Sequence, residues 1–125
     1  MEAIDYYFRG TEEYERQCYA EAVKYFELSN QIEEHFKTYE MLFCCRKELS
    51  DNVKAFACIE KAYQLNPGND KTAFEYAGML AASGDHGSAR KVLADIIRRN
   101  PDYKKAAVLA DSLKLNSDMT KEQEV

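Results

Sequence analysis

The chain has 125 residues, of which 46% are hydrophobic and 31% charged, with a net charge of −5. That balance describes a soluble globular domain able to bury a core, and excludes a disordered chain. No apolar run approaches the roughly 18–20 residues a membrane-spanning helix needs.

In chain order, the turn signals divide the sequence into about seven helices. The first covers residues near 2–16, with Ile4, Tyr7, Phe8 and Tyr14 at near-helical spacing. A turn at Gln17-Cys18 leads to a second over 19–33, whose apolar stripe is Ala22, Val23, Phe26 and Ile32. A third runs from about His35 to Leu49. Ser50-Asp51 is an N-cap for the fourth, which stops before Asn66-Pro67-Gly68. Asp70 is expected to cap a fifth helix reaching Ala82. Ser83-Gly84-Asp85 breaks it and starts the sixth, which ends at Asn100-Pro101. Asp102 opens a last helix to about Leu115, and the polar stretch 116–125 is expected to be a disordered tail.

Part of this pattern repeats. Ala55-x-x-x-Ile59-x-x-Ala62-x-x-x-x-Pro67 returns 34 positions later as Ala89-x-x-x-Leu93-x-x-Ile96-x-x-x-x-Pro101. An earlier copy, Ala22-x-x-x-Phe26-x-x-Ser29, lies 33 positions before the first. A period near 34 with small, large apolar and closing Pro residues at fixed offsets means stacked helix-turn-helix units. Such units expose a face suited to a protein partner.

These residues resemble the tetratricopeptide repeat family over roughly residues 3–115. The family pattern places an aromatic at position 4, Leu at 7, Gly or Ala at 8, Ala at 20 and 27, an aromatic at 24 and Pro at 32. Tyr76, Ala77, Leu80, Ala89, Leu93 and Pro101 follow it in one repeat; Tyr39, Leu42, Ala55, Ile59, Ala62 and Pro67 in another. Tyr6, Gly10, Ala22 and Phe26 follow it in a third. Bulky Phe43 departs from it at position 8 unless the register slips to Cys44. The resemblance implies an all-α fold, a right-handed superhelical array of antiparallel helix pairs. Its repeats would span about 3–35, 36–69 and 70–103, with a capping helix over 103–115, in a single domain of residues 1–115.

The resemblance also implies a binding groove lined by the first helix of each pair. Carried over by repeat position, the groove would present Tyr7, Thr11 and Tyr14, then Lys37, Glu40 and Cys44, then Lys71, Phe74 and Lys105. Ile4 and Lys47 would join them. Lys37, Lys71 and Lys105 recur every 34 residues and could hold a carboxylate. Tyr7, Tyr14 and Phe74 could be anchors for a peptide, or could instead pack between helices. The family's two-carboxylate clamp for acidic chaperone tails would require other residues at the positions held here by Tyr7, Thr11, Met41, Lys71 and Glu75. Only Lys71 fits.

Catalytic patterns are absent from the sequence. His35 and His86 are the only histidines, and neither has a metal-like neighbour spacing. The adjacent pairs Glu12-Glu13 and Glu33-Glu34 diverge by about 100° on a helix and do not converge as an acid and a base would. No metal or cofactor is expected, and the chain reads as a non-enzyme. Four cysteines without a C-x-x-C spacing are expected to be free thiols. The opening Met-Glu-Ala-Ile-Asp lacks the features of a secretory leader, so a cytoplasmic location is expected.

Charge narrows the partner. Residues 1–50 carry 11 acidic and 6 basic side chains, and no basic stripe suited to a nucleic acid backbone occurs. The function expected is that of an adaptor binding a protein or peptide segment in its groove. Self-association as a homodimer, or a role as a small chaperone for a partner subunit, is the alternative.

Overall fold

The computed structural model describes the backbone of residues 1–123 and the side chains of residues 1–114. Its elements are α1 (Ala3–Glu15), α2 (Tyr19–Ile32), α3 (Phe36–Glu48), α4 (Asn52–Leu65), α5 (Asp70–Ala82), α6 (His86–Arg99) and α7 (Lys104–Gln123). Among the described residues there is no strand, so the all-α expectation holds. The helices gather into two compact units, Met1–Pro67 and Gly68–Val125. The junction falls at the Asn66-Pro67-Gly68 stop, between the second and third repeats.

Each helical hairpin turns in the same way. Gln17, Ser50 and Gly84 take positive φ angles of 63°, 59° and 92°. The next residue then donates its backbone N–H back across the turn. Cys18 bonds the Glu13 carbonyl at 2.9 Å, Asp51 that of Arg46 at 2.8 Å, and Asp85 that of Leu80 at 3.0 Å. This is a Schellman closure, which satisfies carbonyls the helix end leaves unpaired. Asp51 and Asp85 then cap the following helices, accepting from Lys54 at 3.2 Å and Ser88 at 3.1 Å. Cys18 occupies the equivalent place without a side-chain cap.

Two local expectations are corrected. The cap of α5 is Asn69, whose Oδ1 accepts from the Thr72 N–H at 3.0 Å. Asp70 is instead the first helical residue and meets the Arg99 guanidinium at 3.0 Å. A helix needs one acceptor just before its first turn, and Asn69 already supplies it. At the other end, α7 runs past Leu115 to Gln123, through most of the segment expected to be a tail. Asn116 to Gln123 contains neither Pro nor Gly, so nothing in it breaks a helix. Residues 124 and 125 lie outside the described residues.

In the first unit, Ala22, Val23, Phe26, Leu42 and Cys45 form the core, with Tyr7, Tyr14, Tyr19, Tyr39, Met41 and Cys58 packed around it. Ala55, Ile59 and Ala62 bury the inner face of α4. In the second unit, Ala73, Ala77, Leu80, Ala89, Leu93, Ile96, Ala106 and Leu113 are buried. The recurrent alanines Ala22, Ala55 and Ala89 are fully buried in all three hairpins, as close helix approach requires. Phe43 is buried as well, at the position where Gly10 and Ala77 stand in the other repeats. The Lys47 ammonium lies 5.1 Å from the centre of its ring.

Candidate functional site

The first unit contains an open cavity of about 420 Å³ at the N-terminal ends of α1 and α3 and the C-terminal end of α2. Ala3, Ile4 and Tyr7 of α1 give it an apolar wall; Ser29 and Glu33 stand at the end of α2, and His35, Lys37 and Thr38 at the start of α3. Its walls are positioned by hydrogen bonds that close helix ends. Ser29 Oγ donates to the Ala3 carbonyl at 2.8 Å and ties the end of α2 to the start of α1. His35 caps α3, its Nδ1 accepting the Lys37 N–H at 3.1 Å. Its ring stacks on Phe36 with centroids 5.1 Å apart.

The sequence-derived groove residues divide by what they touch. Tyr7 and Lys37 line the cavity, as does Ile4. The Tyr7 ring is held by Phe26 at 5.7 Å and has Phe8 at 6.1 Å. Ile4 and Phe8 are more than half exposed, an uncovered apolar pair one helical turn apart on α1. Lys37 is exposed and has no ion pair among the described residues.

The others are engaged elsewhere. Thr11 Oγ1 donates back to the Tyr7 carbonyl at 3.0 Å, within its own helix. Tyr14 packs against Tyr19 at 5.5 Å and is half-buried; desolvation pushes its hydroxyl up, with the nearby Cys44 adding to the effect. It serves the packing of α1 on its neighbours. Glu40 and Cys44 are partly buried and each has an interaction within the protein. In the second unit, Phe74 stacks obliquely on Tyr103 at 5.9 Å. Lys71 and Lys105 are exposed on that unit, without ion pairs among the described residues.

Sequence reasoning missed Ser29, Glu33 and Thr38 as cavity residues. One signal was available: Ser29 stands where the family pattern has a small apolar residue, and a hydroxyl buried there needs a partner. The thiols are free: Cys18 exposed, Cys44 and Cys58 half-buried, Cys45 buried. Burial pushes the Cys45 thiol up to about 12, so it stays protonated and unreactive. Among the described residues no group of three His, Cys, Asp or Glu side chains could hold a metal ion. No described helix is long and apolar enough to cross a membrane.

Comparison with known proteins places this architecture. A tetratricopeptide repeat family profile matches residues 48–111, just over half of the chain. The chain belongs to the tetratricopeptide repeat family. No curated protein sequence matches it. Several solved tetratricopeptide repeat structures share its fold. YrrB, described as having an unusual peptide-binding site, is 22% identical with a TM-score of 0.80, over 93% of this chain and 60% of that one. Yeast Tom70 is 21% identical with a TM-score of 0.83, over 98% of this chain and 25% of that one. The first repeat domain of Spaghetti (RPAP3), bound to the HSP90 peptide SRMEEVD, is 14% identical with a TM-score of 0.79, over 94% of each chain. The chain thus spans three fifths of YrrB and about a quarter of Tom70. As a tetratricopeptide repeat protein, it carries three helical hairpins, α1–α2, α3–α4 and α5–α6, followed by α7.

Proposed function

We propose that this tetratricopeptide repeat protein is a non-catalytic scaffold that binds a segment of another protein along the first helices of its hairpins. The observation that carries the reading is the cavity beside α1. It joins an apolar wall at Ile4 and Tyr7 to charged groups at Glu33 and Lys37, the make-up of a site for a side chain and its flanking backbone. The peptide-bound state of the Spaghetti domain and the peptide-binding site named for YrrB support segment binding by this fold. On the second unit, Lys71 and Lys105, near the Phe74–Tyr103 pair, would offer cations to carboxylates of a partner. The whole lysine series, Lys37 included, belongs to this proposal. An acidic tail such as SRMEEVD is not the ligand expected, because Glu75 opposes it and Tyr7, Thr11 and Met41 offer no cation. Four free thiols suit a reducing compartment, so we place the protein in the cytoplasm.

The test uses a displayed library of random dodecamer peptides selected on the full chain, together with its mass by light scattering. Selection should enrich peptides that bind a monomer saturably and lose affinity to an Ile4→Ser variant. Ile4 is 54% exposed, so that change leaves the core intact. Failure to enrich any peptide, or enrichment indifferent to Ile4→Ser, would overturn the reading. A dimer dissolved by Ile4→Ser would replace it with self-association.

A further inference from the structure

The net charge of the protein arises in one unit. Residues 1–67 carry 13 acidic and 8 basic side chains, net −5, whereas residues 68–125 carry 9 of each. The cavity and the exposed Ile4–Phe8 pair therefore sit on the acidic unit. On that unit Glu33 stands at the lip of the cavity, and Glu15 is exposed further along α1, two turns beyond Phe8. Neither carboxylate has a partner among the described residues. Glu13, by contrast, is paired with Arg16 at 3.3 Å, Glu27 with Arg46 at 2.8 Å, and Glu34 accepts from the Tyr39 hydroxyl at 2.7 Å.

From this juxtaposition we infer that the occupant of the cavity is a basic, aliphatic segment of another protein. An aliphatic side chain enters against Ile4 and Tyr7, and an adjacent Lys or Arg meets Glu33. The inference rests on the reading of this cavity as a segment-binding site and adds the chemistry of the segment. Two features favour this occupant. An unpaired carboxylate beside apolar surface gains a charge-assisted hydrogen bond from an incoming ammonium or guanidinium. The net negative field of the unit attracts cations and steers them toward it. A second copy of the chain is a poor occupant of the same face. It would set Asp5, Glu12 and Glu15 of one α1 against the same acids of another, and like charges in a two-fold contact repel.

The test reads the charge of the selected dodecamers and their affinities by fluorescence anisotropy on the full chain. Enriched peptides should place Leu, Ile, Val or Met beside Lys or Arg. Glu33→Gln should weaken them by about tenfold or more, the loss expected for one charge-assisted contact. Raising salt should weaken binding. All these positions are at the surface, so unchanged helical content by circular dichroism accompanies each variant. Enrichment of acidic or uncharged peptides that still depend on Ile4 would overturn this inference while leaving the segment-binding reading intact. Unchanged affinity in Glu33→Gln, with Ile4 still required, would do the same. Loss of all peptide binding, with no dependence on Ile4, would bring down the segment-binding reading itself.

Discussion

Gly10 and Phe26 are fitted to each other: a Cβ on Gly10 would lie 2.7 Å from Phe26 Cε1, closer than two such carbons can approach. The contact sets how closely α1 lies on α2, and hence where Ile4 and Tyr7 meet the end of α2 to form the cavity wall. Gly10→Ala should therefore destabilise the chain by about 1–3 kcal/mol, despite the better helix propensity of alanine. Phe26 is fully buried and cannot swing away. Gly78, also within a helix, has nothing within 4 Å of its would-be Cβ. Gly78→Ala should stabilise by about 0.5–1 kcal/mol. Urea denaturation of both variants checks the pair, and an equal effect of the two would refute the account of Gly10.

The first hairpin lacks a cap its two counterparts possess. Cys18 occupies the place of Asp51 and Asp85, and offers no oxygen to the first turn of α2. Cys18→Asp should raise stability by about 0.5–1 kcal/mol through a cap and a favourable helix dipole contact. Thermal melts at neutral pH would show the gain, and it should shrink as the new carboxylate is protonated in acid.

Ser29 makes a buried hydrogen bond across 26 residues, to the carbonyl of Ala3 at 2.8 Å. Ser29→Ala would remove this bond, leaving the Ala3 carbonyl only its bond within α1, a loss of about 1 kcal/mol. Amide exchange should quicken in the first turn of α1 more than in α3. An unchanged exchange rate there would show that the bond does not hold the cavity wall.

Alkaline pH should unfold the protein through groups that burial holds protonated. The Cys45 thiol, ordinarily near 9.0, is pushed up to about 12 by burial, with Cys44 adding to the effect. The Tyr39 hydroxyl, ordinarily near 10.0, is raised to about 12 by burial and its bond to Glu34. The unfolded chain releases these protons first, so the stability they supply is intact below about pH 9 and is lost as pH rises toward 12. Chemical denaturation between pH 8 and 12 should show this fall, shallower in Tyr39→Phe. Alkylation of the native protein should label exposed Cys18 well before Cys45.

The helices, their turns and the small residues at their crossings were legible in the sequence because each is set by neighbours within one repeat. Caps, Schellman turns and the Ala-x-x-x-apolar-x-x-small stripe act over distances of three to seven residues, and the period near 34 carries them along the chain. Departures were local too: Asn69 rather than Asp70 caps α5, and α7 continues because no breaker follows Leu115. The surface that could bind a partner was a different matter. Tyr7 and Tyr14 share the groove face of α1 in the sequence pattern, yet only Tyr7 lines the cavity while Tyr14 packs against Tyr19. Glu33 reads as one acid of an adjacent pair, but the fold engages Glu34 with Tyr39 and leaves Glu33 at the lip. Periodicity determines which side of a helix a residue occupies. Whether that side is filled, paired or open depends on side chains from the neighbouring helices, and only their packing decided it.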